Sequence, residues 1–517
     1  MQTLEDRAHR IYGSYNALPE SMASDASLAG TRDGLLAAAL AFRDAINSDR
    51  KFVVYKTLVG FESVFPPAWD DPSFGYREAE EYRSAQVELM LNEVTDATAE
   101  AWFELLSRCA QTQSSDAATF PTFGRFLSGF GETKPDIVIA YLEKMDPQLT
   151  RFLPSMLAGL GKSVHAEAAL KRIDGWLAEA RYLSDIAWYM RFAQPFDESL
   201  LRRVLDSSIA HDDAPAVRNV LVAAETQFRT NPGSLIDNIF LPALRVLAAK
   251  NNLGWVRMPW FSWMDNPLLL ALDENQAAVV LDALVPYPEL EYDAEDIAAA
   301  IAARWPEKVI EFLEHRQTYA DLGGVPEGYR DLPFDVHDLR APLATAQEPL
   351  IGAARRWFAR NKQMFQYGGG RLLTAVFPGL PDSFRDCLAG YVAGGNHDDL
   401  EFVLSILTNY EGRDIVHGLA KDIVAQIEAD DPLMSRVRTV LRSTGVVSGE
   451  FGFVDLYAAR KTTMQAWLAD ARERVRAFGQ GHISELDRSI TGEQRSAETS
   501  IALRKLDYDE ELDDDAA

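Results

Sequence analysis

Lys134-Pro135-Asp136-Ile137-Val138-Ile139-Ala140-Tyr141-Leu142-Glu143 returns as Trp305-Pro306-Glu307-Lys308-Val309-Ile310-Glu311-Phe312-Leu313-Glu314. Each copy places a proline at a helix start, an acidic residue after it, and apolar residues at helical spacing. Proline costs nothing at the first helical position, where its missing N–H would be unpaired anyway. The two prolines, 135 and 306, stand 171 residues apart, about four times a HEAT-like hairpin of about 40–47 residues. The recurrence predicts an all-α chain, an α-solenoid of HEAT-like helical hairpins. Such stacked repeats make binding surfaces more often than active sites.

Similar phrases occur elsewhere. Asp213 precedes Ala214-Pro215 and a stripe of Val217, Val220, Leu221, Ala224 and Phe228. Asp146-Pro147 opens a stripe of Leu149, Phe152, Leu153, Met156 and Leu160, closed by Gly161. Asp431-Pro432 opens Leu433, Met434, Val437, Val440 and Leu441, closed by Gly445. Each reads as an acidic cap followed by one apolar face. Period-2 alternation is scarce; 51–56 (Lys-Phe-Val-Val-Tyr-Lys) is the best strand candidate and fits a buried helix equally well.

Glycines and prolines divide the chain. The expected organisation is an N-terminal helical-repeat region 1–319, an irregular connection 320–344 rich in breakers, and a second helical-repeat region 345–445. A C-terminal helical arm follows at 453–506, interrupted at Gly479 and Gly481, with a disordered acidic tail at 507–517. The arm's apolar series, Trp467, Phe478, Ile483, Leu486 and Ile490, is thin. It predicts a separable helix that serves self-association or partner docking.

The chain has 517 residues, 47% of them hydrophobic and 10% aromatic, enough for a large core. Its 78 acidic and 51 basic residues give a net charge of −27. That balance opposes extensive phosphate contact and anionic membranes, so nucleic-acid binding is not expected. Two cysteines, Cys109 and Cys387, exclude a disulfide framework and suit a reducing cytosol. The first residues lack the apolar core of a signal peptide, and no stretch has the length of a membrane span.

Catalytic signals are weak. Gly161-Lys162-Ser163 lacks the glycine five positions earlier, where Met156 stands, and follows a helix rather than a strand, so a helix end is expected and not a phosphate loop. His211-Asp212-Asp213 and His397-Asp398-Asp399 precede amphipathic segments and read as helix starts, not metal ligands. Asp335-Val336-His337-Asp338 adds a third acidic cluster. Gly368-Gly369-Gly370 lacks dinucleotide spacing. Cys109 lies on an amphipathic helix and reads as a small buried hydrophobe. No catalytic residue, metal or cofactor is expected.

Two aromatic groups remain. Trp255, Arg257, Met258, Pro259, Trp260, Phe261, Trp263 and Met264 fall within ten residues, and Phe65 and Trp69 flank a rigid Pro66-Pro67 turn. Large aromatics and arginine anchor binding hot spots, but large aromatics also fill cores, and the core reading comes first. The candidate partner-binding residues are therefore Trp255, Arg257, Trp260, Phe261, Trp263, Phe65, Trp69, Phe478, Ile483, Leu486 and Ile490.

Two segments carry a resemblance. Val54-Tyr55-Lys56-Thr57-Leu58-Val59-Gly60-Phe61-Glu62-Ser63-Val64-Phe65-Pro66-Pro67-Ala68-Trp69 is one. Glu493-Gln494-Arg495-Ser496-Ala497-Glu498-Thr499-Ser500-Ile501-Ala502-Leu503-Arg504-Lys505-Leu506-Asp507-Tyr508 is the other. Both resemble helical-repeat sensor regions of bacterial antiphage-defence proteins of the STAND NTPase type. The chain departs from them in having no phosphate-binding loop. The resemblance implies a repeat part alone, without the NTPase. The leading expectation is a cytoplasmic, non-enzymatic recognition scaffold or adaptor, with a phage or host protein or a defence effector subunit as partner. The alternatives are a helical-repeat glycosylase or metal-dependent nuclease, and a general assembly scaffold.

Overall fold

The computed structural model describes residues 2–17, 26–60, 69, 76–144, 146–257, 266–333, 335–443 and 446–514. The fold is all-α, with about 75% of the chain helical and no strand among the described residues. It forms two compact units, Met1–Asn252 and Leu253–Ala517.

In the first unit, helix Gln2–Asn16 packs on Ala26–Asn47. The 51–56 segment is helical within Arg50–Leu58, capped by Asp49, whose carboxylate accepts from the Lys51 amide at 2.9 Å. Phe52, Val54 and Leu58 are all buried there, and a helix with its own cap satisfies the backbone without a sheet partner. Lys56 reaches back to Glu5 at 2.7 Å, and both side chains are fully buried. Asn47 also donates to Glu5, at 2.8 Å.

Farther along, helices pack on the second helix after them. Leu153–Leu160 lies on Leu183–Met190, which lies on Ala214–Phe228. Polar ties recur at a matching separation: Asn219 donates to Ser184 Oγ, 35 residues back, and Gln227 to the Met190 carbonyl, 37 back. Arg202 donates to the Asn238 carbonyl, 36 residues on. Pro121–Thr133 and Leu153–Leu160 approach each other very closely. A Cβ on Gly159 would lie 1.9 Å from the Ser128 carbonyl oxygen, so only glycine fits.

The second unit repeats the scheme. Glu274–Leu284, Pro306–Asp321, Gln347–Arg360, Gly369–Val376, His397–Leu407 and Pro432–Arg442 each pack on the next of the series. Asp293–Ala302 packs between Pro267–Ala271 and Arg340–Thr345, and Asp382–Ala393 on His417–Gln426. The polar ties again span one hairpin: Gln347 to Ser383 (36 residues), Tyr410 to Phe377 (33) and Ser443 to Thr408 (35).

The repeated decapeptides both open helices, at Pro135 and Pro306. Asp213 and Asp431 cap as expected, accepting from the Ala216 and Leu433 amides at 3.0 and 2.8 Å. Gly445 lies outside the described residues. The Asp146 segment differs: it splits into Pro147–Thr150 and Leu153–Leu160. Pro154 lacks the N–H that would continue the first helix, so a new one starts around it.

The 320–344 stretch lies inside the second unit and is organised by two buried side chains, Arg316 and Glu295. The arm also differs from expectation. Helix Glu473–Asp514 runs without a break at Gly479 or Gly481 and through 507–514. Gly479 is there for packing, since a Cβ would stand 2.8 Å from that of Trp467. Nor is the arm bare. It packs on Gly452–Met464 and on His417–Gln426, with Arg438 over the Phe478 ring; Phe478, Ile483 and Leu486 are buried and Ile490 is half-buried. Among the described residues no helix is long and apolar enough to cross a membrane.

Candidate recognition surface

The leading aromatic candidate divides in the structure. Trp255, in the turn Leu253–Trp255, is fully buried and serves the core. Arg257 is exposed and donates through Nε to the Tyr287 hydroxyl at 3.2 Å. Trp260, Phe261 and Trp263 lie outside the described residues, as does Phe65. Trp69 is buried, packing near Tyr12 and His9, so it staples the first unit and is no surface contact. Burial likewise removes Phe478, Ile483 and Leu486 from any free docking face.

Arg257 and Tyr287 stand on a cleft of about 750 Å³ that also takes in Tyr292, Glu289, Glu291, Asp293 and Glu327. Its lining carries four carboxylates and the Arg257 guanidinium; Arg330 pairs with two of the four, Glu289 at 3.4 Å and Glu291 at 3.7 Å, which leaves Asp293 and Glu327 as the further acidic groups of the wall. Tyr292 is 84% exposed and held at φ 48°, outside the ordinary range for a bulky residue. It immediately precedes helix Asp293–Ala302. Such a wall needs support, and Arg316 supplies it. Its guanidinium is fully buried and donates to the carbonyls of Val285 (3.0 Å), Tyr287 (2.6 Å) and Pro288 (3.2 Å) on one side. On the other it donates to those of Arg330 and, at 3.2 Å, Asp331. Tyr329 adds a hydrogen bond to Val285 O at 2.8 Å, and its ring lies 4.6 Å from the Arg316 guanidinium. Burial lowers the Arg316 pKa to about 10, which leaves it charged at neutral pH.

A second brace lies close in sequence. The Glu295 carboxylate accepts three successive amides, those of His337, Asp338 and Leu339, at 2.6, 3.0 and 3.2 Å. It caps the start of Arg340–Thr345 from another helix. Its neighbour Asp296 is raised to about 6, chiefly by burial and then by Asp338, Asp293 and Glu295. The Asp335–Asp338 cluster is thereby a structural joint.

The remaining sequence motifs also serve structure. Gly161 ends its helix by donating to Leu157 O at 2.8 Å, and Ser163 donates to Leu160 O. In the first His-Asp-Asp triplet Asp213 caps and Asp212 pairs with Lys250. In the second, Asn396 is the cap instead, accepting from Asp398 and Asp399, whose carboxylates pair with Lys362 and Arg355. Gly369 sits where a Cβ would come within 2.5 Å of the Phe365 ring. Cys109 is buried, and burial pushes its thiol up to about 12, far from thiolate reactivity. Among the described residues no three metal-ligating side chains converge.

Tyr287, Tyr292 and the carboxylates about them were not singled out from the sequence. The one available signal was Pro286-Tyr287-Pro288, which fixes a rigid turn presenting an aromatic. Nothing in the sequence marks Arg316, because the carbonyls it serves lie elsewhere in the chain. Compared with protein-family models, curated proteins and solved structures, the chain matches none.

Proposed function

We propose that the chain is a non-enzymatic recognition scaffold, an α-solenoid of HEAT-like hairpins that binds a protein partner. The observation that carries this reading is the run of polar ties at about one hairpin's separation, from Asn219–Ser184 to Ser443–Thr408. Stability shared between neighbours is the signature of a repeat protein, whose output is extended surface rather than one enclosed site. The cleft around Tyr292 supports a basic partner segment, because its carboxylates and exposed aromatic ring suit lysine and arginine side chains. With the resemblance to defence sensor regions, the proposed role is a cytoplasmic sensor or adaptor in bacterial antiphage defence, responding to a phage or host protein.

The test is a photo-crosslinking amino acid in place of Tyr292, in cells with and without phage. The expected product is a discrete protein adduct whose contact segment is basic. The adduct should weaken when Glu289 and Glu291 are both changed to Lys. Absence of any adduct overturns the cleft as the recognition surface. Nucleotide or nucleic-acid turnover by the purified chain, lost on mutating His211, Asp212 or Asp213, would replace the scaffold reading with an enzymatic one.

A further inference from the structure

The first unit contains a second cavity, of about 210 Å³, unrelated to the Tyr292 cleft. Its walls are mainly apolar, with Leu157, Ile173, Met190 and Leu200 buried and Leu170 42% exposed at its edge. Tyr189 also lines it. That side chain is only 7% exposed, and among the described residues its hydroxyl has no hydrogen-bond partner. A buried tyrosine hydroxyl ordinarily finds a partner. Gly161 lies across from it; a Cβ there would come within 2.9 Å of the hydroxyl, so glycine leaves that oxygen open to the cavity. The other acid on the wall, Asp197, is already committed as a helix cap, accepting from the Leu200 amide at 3.1 Å and the Ser199 hydroxyl at 2.6 Å. Burial raises the Tyr189 pKa, so the hydroxyl stays a proton donor at neutral pH.

The size selects the occupant. An apolar cavity of about 150 Å³ admits benzene, whereas small-molecule and cofactor sites run from about 300 Å³ upward. The space here takes one substituted ring. The unpaired donor calls for an acceptor at the far end of that ring, as a phenol oxygen provides. Phe192, immediately before the wall residue Ala193, is 56% exposed, and its ring lies 5.2 Å from the Arg191 guanidinium. Leu170, a wall residue 42% exposed, is apolar surface that a peptide chain would cover and a free phenol would not. We propose that this cavity is the anchor pocket for one tyrosine side chain of a protein partner, with its phenol oxygen accepting from the Tyr189 hydroxyl. The assignment rests on the recognition reading above and gives it a second, chemically distinct contact.

The experiment measures binding of p-cresol, toluene and the capped pentapeptide Gly-Gly-Tyr-Gly-Gly to the full chain by NMR or calorimetry. One net hydrogen bond is worth about fivefold to tenfold, so p-cresol should exceed toluene by that factor. Tyr189→Phe should erase the preference and leave toluene unchanged. Gly161→Ala, which sets a methyl over the hydroxyl, should also erase it. Ala166→Phe, at a half-buried wall position, should abolish binding of both, with circular dichroism confirming the fold. The pentapeptide should bind more tightly than p-cresol and lose that margin in Leu170→Ser. Absent p-cresol binding, or binding unaffected by Ala166→Phe, overturns the pocket. A pentapeptide weaker than p-cresol overturns the protein source and assigns the site to free phenols. None of these measurements involves the Tyr292 cleft, so failure here and failure of the scaffold reading are separately visible.

Discussion

Arg316 holds Tyr287 by its backbone, donating from Nη1 to the Tyr287 carbonyl oxygen at 2.6 Å, while the Tyr287 hydroxyl faces Arg257 across the cleft. A buried cation thus sets the position of a surface aromatic without touching its ring. The planar fork is needed, because three donor nitrogens serve carbonyls on two different segments.

Arg316→Met should therefore destabilise the second unit by about 3 kcal/mol, the scale for leaving several buried carbonyls without donors. Arg316→Lys should recover only part of that, having no fork to bridge 285–288 and 330–331. Chemical denaturation of the three proteins checks this; equal stability of Lys and Arg would show that charge alone suffices.

Gly159 and Gly175 should respond oppositely to alanine. At Gly159 a methyl collides with backbone, so Gly159→Ala should cost roughly 2–3 kcal/mol or more. Gly175, inside helix Ala166–Ala178, has nothing within 4 Å of its Cβ direction. Gly175→Ala should stabilise by about 0.5–1 kcal/mol through helix propensity. Thermal melts decide, and a neutral Gly159→Ala would refute the close helix contact.

The arm joint should be acid-sensitive. His417 Nδ1 accepts the Trp467 indole N–H at 2.8 Å, and His482 stacks on Phe478 at 5.7 Å. Burial lowers both pKa values, His482 to about 4, against the opposing pull of Asp414 on one and Glu485 on the other. Lys421 and Arg460 press the first further down, and Arg442 and Arg438 the second. A folded pKa below the unfolded 6.5 means that the folded state binds fewer protons. Stability is thus complete above pH 6.5 and falls as pH drops toward 4, by on the order of 2–3 kcal/mol for His482. Trp467 fluorescence during denaturation at several pH values measures this, and His482→Leu should flatten the dependence. A loss undiminished in that variant would place the titration elsewhere.

Removing 453–517 should destabilise what remains. Trp467 is 1% exposed, and its loss uncovers the face of His417–Gln426 on which the arm packs. The truncated chain is expected to melt earlier and bind more of a hydrophobic dye. Unchanged melting would restore the separable arm expected from its thin stripe.

Helix starts were legible because capping is local: Asp213 and Asp431 each act within two or three residues. The arm was misjudged for the opposite reason. Its own sequence shows one face, and the helices that complete the burial lie elsewhere in the chain. Gly479 read as a break because a glycine demanded by a neighbour's Cβ looks the same in sequence as one that ends a helix. The aromatic cluster pointed to the right neighbourhood but the wrong residues. Trp255 fills the core, while the surface belongs to Tyr287 and Tyr292, placed by a turn that Arg316 grips from 28–31 residues away. The Tyr189 pocket had no sequence signal, since a missing hydrogen-bond partner is visible only in three dimensions.

The buried pair of Glu5 and Lys56, 51 residues apart, has a bearing on how the chain is made. The first helix leaves the ribosome carrying a carboxylate that belongs in a protein interior. Its cation arrives only after some fifty more residues, at about 5–20 residues per second a wait of roughly 3–10 seconds. During that interval helix Gln2–Asn16 cannot take its final place. Helix Gln2–Asn16 thus settles only after the segment that carries Lys56 has been made, and a nascent chain arrested before Lys56 should still leave it open to proteases.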